Sequence, residues 1–128
     1  MNADIISHAI YDIRQSISEA MITSNLTGPE GVVLVSYNAN AAIGFAATLT
    51  DFVKDTLKAS GFAALGRLQM ARFSNNALGV TFVKGDYAWF MLLDLNKVSL
   101  GMVTTYVTPR ATRALDAAIE CVALEVLL

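Results

Sequence analysis

Residues 77–92 read ALGVTFVKGDYAWFML, two dense apolar runs broken only by Lys84, Gly85 and Asp86. Neither run alternates apolar with polar residues, as a strand with one face in water does. A sheet built from them must therefore be covered on both faces, and the rest of the chain has to supply the cover.

The chain has 128 residues, which fits a single domain over 1–128. At that size roughly two thirds of the unfolded surface can be buried. Apolar residues make up 55% and charged residues 16%, against about 45–50% apolar in ordinary soluble domains. No apolar run reaches the length of a membrane span, and Asp116, Glu120 and Glu125 interrupt the greasy C-terminal segment. Self-association is the better outlet for the surplus. The opening MNADIISHAIYDIRQ lacks a basic stretch followed by an apolar block, so the expected location is cytoplasmic. Cys121 is the only cysteine, which excludes an internal disulfide and argues against a cysteine-rich metal site. A net charge of -2 with no basic cluster leaves no footprint for nucleic acid.

Along the chain, Ile6, Ile10, Ile13, Ile17 and Met21 form one stripe, which predicts an amphipathic helix over 3–22. Asn25, Thr27, Gly28, Pro29 and Gly31 then break it, and GVVLVSY reads as a buried strand. Asn38, Ala39 and Asn40 read as a turn, and AAIGFAA (41–47) fits either a short second strand or the front of the next helix. From Thr48 a second helix is predicted, with Leu49, Phe52, Val53, Thr56 and Leu57 on one face and Asp51, Lys54, Asp55 and Lys58 on the other, ending near Gly61. LQMARF, ALGVTFV and YAWFMLL come next as three strands, joined by hairpin turns at Ser74-Asn75-Asn76 and Lys84-Gly85-Asp86. Val103 to Val107 look locally like a strand, yet Leu100, Val103, Val107, Ala111, Ala114, Leu115 and Ala118 keep a helical stripe across Pro109. Helix is expected from Ser99, kinked or broken at Pro109, with Thr108 able to cap the helix over 110–127. The predicted class is α+β: a five-stranded antiparallel sheet in the order αββαβββα, the middle helix on one face and the terminal helices on the other.

This order resembles the Roadblock family, which includes the dynein light chain roadblock type and the GTPase-activating partner of a bacterial gliding-motility GTPase. GPEGVVLVS is similar to the family's first strand, LQMARFSNNALGVTFVKGDYAWFMLL to its three-strand meander, and SLGMVTTYVTPRATRALDAAI to the start of its C-terminal helix. Pro109 departs from the uninterrupted helix of relatives. The resemblance implies a homodimer in which the third strand pairs with its copy and the middle helices lie side by side. On that implication Leu68, Gln69, Met70, Ala71, Arg72, Phe73 and Phe52 form the dimer interface, and Asp51, Lys54, Asp55 and Lys58 face a partner. It also implies a small Ras-like GTPase, or a complex containing one, as that partner. The sequence tolerates such pairing, since LQMARF carries a single charge and no proline.

No residue set proposes a reaction, a metal or a cofactor. His8 is the sole histidine, too few for a histidine triad or a multi-histidine zinc site. GFAALG imitates phosphate-loop glycines, but Arg67-Leu68 stands where lysine and a hydroxyl residue are needed. Asp51 and Asp55 are flanked by Lys54 and Lys58, as on a solvated or partner-facing surface. Tyr87, Trp89 and Phe90 read as core, Cys121 as a buried thiol, and Arg113 as the partner of Asp116. These residues point to a non-catalytic interaction module. The alternatives are a small-molecule sensor with a pocket under Phe45, Trp89 and Met91, or a purely structural subunit.

Overall fold

The computed structural model describes residues 1–38, 42–61, 63 and 66–127, and their side chains except at 42–47, 49, 50 and 121–127. Helix α1 (Ala3–Ile17) starts where the Asn2 side chain accepts a hydrogen bond from the Asp4 backbone N–H, 3.1 Å away. It buries Ile6, Ile10, Ile13 and Ile17 and stops at Ser18, whose φ of 50° leaves the helical basin. The helix is therefore shorter than its apolar stripe predicts. Met21, the last residue of that stripe, opens strand β1 (Met21–Thr27).

Strand β1 replaces the helix end and breaker expected there, and its pattern hides it because its buried residues are polar. Thr23, Ser24, Asn25 and Thr27 are all buried. Thr23 Oγ1 donates to the Tyr37 carbonyl at 3.0 Å and Thr27 Oγ1 to the Ala88 carbonyl at 3.3 Å. Ser24 Oγ accepts the Trp89 Nε1–H at 2.8 Å. Strand β2 (Val33–Tyr37) is the GVVLVSY segment, but it forms a sheet edge with Val33 and Leu34 exposed, not a buried strand. A tight turn at Pro29–Gly31, with Glu30 and Gly31 at positive φ, leads into it. Asn38 has φ 52° and gives Nδ2–H to the Ile22 carbonyl; Ala39 and Asn40 of the expected turn lie outside the described residues. Ala42 already belongs to α2 (Ala42–Ser60), so AAIGFAA supplies no strand.

The meander forms as expected, with β3 (Leu68–Arg72), β4 (Ala77–Lys84) and β5 (Tyr87–Asp94). Lys84 pairs with Tyr87 across a two-residue turn in which Gly85 takes φ 58°. The five antiparallel strands run in the order β2-β1-β5-β4-β3, so β5 is central and β2 and β3 are the edges. Because paired residues share a face, Leu26 with Trp89 and Val80 with Met91 point to one side, and Asn25 with Phe90 to the other.

On the first side lies the core, where Leu78, Val80, Phe82, Trp89, Met91 and Leu93 meet the isoleucines of α1 and the C-terminal helical rod. The rod comprises α3 (Leu100–Met102), capped by Ser99, a π-helical turn at Val103–Val107, and α4 (Thr108–Leu127). Pro109 does not break it. Thr108 has helical angles instead of those of a cap, and its N–H reaches five residues back to the Val103 carbonyl, joined by its hydroxyl at 3.0 Å. Widening the turn accommodates a ring that lacks an N–H and crowds the carbonyl four residues earlier. Helix α2 covers the opposite face, in contact with β5. Both sides of β4 are thus out of water and β5 is buried or half-buried along its length, in keeping with their uniform hydrophobicity.

Truncating Leu115, fully buried between rod and sheet, is expected to cost roughly 2–5 kcal/mol of unfolding free energy. The exposed Leu100 should tolerate alanine within about 0.5 kcal/mol. Urea denaturation of the two variants checks both.

Candidate interaction surfaces

Among the described residues strand β3 pairs only with β4. The backbone N–H of Phe73 bonds to Ala77 O and that of Val83 to Arg67 O, both at 2.8 Å. With the register Leu68 to Phe82 through Arg72 to Leu78, antiparallel alternation directs the polar backbone groups of Gln69 and Ala71 toward β4. Those of Leu68, Met70 and Arg72 point outward along the open edge. The side chains of Leu68 and Met70 are 41% and 40% exposed. Arg72 reaches back to Asn76 Oδ1, which leaves the edge without a projecting charge at its middle. Phe73 and the Phe90 ring close over Gly79, where a Cβ would come within 3.3 Å of both. The Gln69 Nε2 atom is buried without a hydrogen-bond partner.

The start of β3 is tied to α4. Arg67 Nη2 lies 2.6 Å and Lys84 Nζ 2.8 Å from Asp116 Oδ1, with Glu120 3.7 Å from the same ammonium. The hydrogen bond from Arg67, and next that from Lys84, hold the Asp116 carboxyl below the usual carboxylate range. Arg113, expected to pair with Asp116, is displaced from that role by two cations from outside the helix.

On α2, Phe52 is 67% exposed. Asp51, Asp55 and Lys58 are exposed and Lys54 is half-buried. Lys54 Nζ contacts the Gly85 carbonyl at 3.5 Å. Asp51 and Lys54 line a cleft of about 220 Å³ with Pro29, Glu30 and Asp86, whereas Asp55 and Lys58 lie away from it. None of the four forms an ion pair among the described residues. The spacing of charges on α2 carries no signal for the turns before β2 and between β4 and β5 that meet it here.

The other candidates take their plainer roles. Trp89 and Met91 are fully buried and Phe90 nearly so, in a packed core; the Phe45 and Cys121 side chains and much of GFAALG lie outside the described residues. His8 is exposed on α1. Among the described residues no cluster of three potential metal ligands exists, and no helix is long and apolar enough to cross a membrane.

The architecture is that of known structures. MglB from Myxococcus xanthus superposes with a TM-score of 0.69 at 13% identity, over 90% of this chain and 90% of that one. The gliding protein MglB from Thermus thermophilus gives 0.67 at 15% identity, over 91% and 90%. A Roadblock/LC7 domain from Streptomyces avermitilis gives 0.61 at 10% identity, over 92% and 94%. The chain therefore has the Roadblock fold. No protein-family model and no curated protein sequence matches it.

A carboxyl whose pKa is lowered on folding stabilises the fold above its unfolded pKa, and the contribution is lost as pH falls through the folded value. Asp116 is such a group. Asp116→Asn is expected to cost about 1 kcal/mol or less at neutral pH, in keeping with a partly exposed ion pair. The gap from wild type should close below about pH 4, as followed by urea midpoints across the acid range.

Proposed function

We propose that this chain is a non-catalytic, homodimeric interaction module that binds and regulates a small Ras-like GTPase or scaffolds a complex containing one. The observation that carries the reading is the open β3 edge in a Roadblock fold, with outward backbone groups at Leu68, Met70 and Arg72 and two exposed apolar side chains on the strand. An edge of this kind is a template for another strand. Pairing β3 with its copy about a two-fold axis satisfies the edge symmetrically and makes one ten-stranded sheet from two five-stranded ones. Leu68 to Phe73 then form the contact, and the exposed Phe52 of α2 joins it on the helical side.

Asp51, Lys54, Asp55 and Lys58 present charges of both signs that are not consumed by ion pairs among the described residues, as suits a surface that meets a partner. Any acceleration of nucleotide hydrolysis comes from positioning the GTPase's own residues.

Met70→Pro tests the dimer without touching the ladder to β4, because it removes only an outward N–H. The wild type is expected to sediment as a dimer at micromolar concentration and the variant as a folded monomer. A wild-type monomer across that range overturns the dimer. Binding is read against the Ras-like GTPases of the same source in both nucleotide states, with Asp51→Lys and Lys58→Glu expected to weaken it at least about tenfold. Indifference of the wild type to all of them overturns the GTPase assignment.

A further inference from the structure

The backbone N–H of Asn2 bonds to Ala118 O at 3.0 Å, and at the other end of α1 Ser16 Oγ lies 2.5 Å from the Tyr106 hydroxyl. Helices α1 and α4 therefore run antiparallel, with Asp12 level with Arg110 and His8 level with Arg113. Between them, on the side away from the sheet, lies an open groove of about 430 Å³. Its floor is apolar, with Ile5, Ala9 and Ala114 among the residues that line it, and its walls are charged with opposite signs. Asp4 and Asp12 stand on the α1 wall, and Arg110 and Arg113 on the α4 wall.

These four charges face one another across the groove, yet none is in an ion pair among the described residues. Arg110 is nonetheless held in place, its guanidinium 3.7 Å from the centre of the Tyr106 ring that Ser16 anchors. Arg110, ordered in advance on the basic wall, lowers the entropy cost of recruiting a complementary surface.

We infer that this face of the helical layer is a self-association surface, its occupant a second copy of the chain. The charge layout selects that occupant. A two-fold axis along the groove lays α1 of one copy over α4 of the other and keeps residues at the same height. Asp12 of each copy then meets Arg110 of its mate, and the remaining Asp4 and Arg113 are offset by about 6 Å along the axis, a span that an arginine side chain reaches. Every unpaired charge of the four acquires an opposite partner by one symmetry operation, and the contact is isologous. It is electrostatic in character, so it weakens as salt screens it. The surface is separate from β3, and a chain using both contacts assembles beyond a dimer.

Sedimentation equilibrium at low and high salt tests this with Asp12→Arg and Arg110→Asp, checked for folding by circular dichroism. Each reversal places like charges opposite each other twice per contact, so each variant alone should associate through this face at least about tenfold more weakly than wild type. An equimolar mixture of the two should recover association, because the arginine introduced at position 12 of one chain then faces the aspartate introduced at position 110 of the other. Equal association of wild type and both variants, or a mixture that fails to recover, overturns the inference. Met70→Pro separates the two surfaces. If the β3 reading is wrong, that substitution leaves the mass unchanged and the charge-reversal comparison stands by itself.

Discussion

Trp89 lies wholly out of water on the central strand, and its one polar side-chain atom gives its hydrogen to Ser24 on β1. An indole N–H buried without an acceptor costs on the order of 1–3 kcal/mol, so this bond favours one register of β1 against β5. A slip of one residue would turn Leu26 away from the core and bring Thr23 and Asn25 toward it. With the register held, the Thr23 and Thr27 hydroxyls fall within reach of the Tyr37 and Ala88 carbonyls on the flanking strands. Strand β1 is polar, yet it carries β2, which has no other neighbour in the sheet.

The helical cover of that core depends on a second local solution. Val103, Val107, Ala111 and Leu115, all fully buried, recur at steps of four. In a regular α-helix a step of four overshoots a full turn by about 40°, so such a stripe drifts around the helix. The π-turn at Val103–Val107 has more residues per turn and rotates the stripe back. Pro109 therefore answers a packing need as well as a steric one: the turn that makes room for the ring also keeps the rod's apolar side on the sheet.

The layers of this fold are legible in the sequence because they rest on periodicity. The isoleucines of α1, the stripe of the C-terminal rod and the doubly apolar β4 and β5 each announce which side is buried, and the two hairpins carry standard turn residues. The first strand is illegible for the opposite reason. In MITSNLT the buried Thr23, Ser24 and Thr27 side chains bond to strands distant in sequence, while Asn25 Oδ1 is buried without a partner, and Met21 happens to extend the helical stripe of α1. Hydrophobicity alone gives GVVLVSY a buried place, whereas topology puts it at an edge. The open edge at β3 can be read from the lack of charges in LQMARF. The cleft beside Asp51 and Lys54 and the groove between α1 and α4 cannot, since each arises where elements far apart in sequence meet.

The Asp116 cluster joins the two halves of this molecule that face outward. Asp116 belongs to α4, the helix that forms the basic wall of the groove, while Arg67 immediately precedes the edge strand and Lys84 ends its neighbour. The Arg67 carbonyl is itself held by the Val83 N–H, which begins the β3–β4 ladder. A displacement of α4 along its axis would stretch the Asp116 bonds and pull first on the residue where β3 starts. Partly exposed ion pairs are individually weak, but two cations converging on one carboxylate share the cost of ordering it. Asp116 thus ties the helical rod to the residue where the open edge strand begins, through a single side chain that belongs to neither the groove nor the edge.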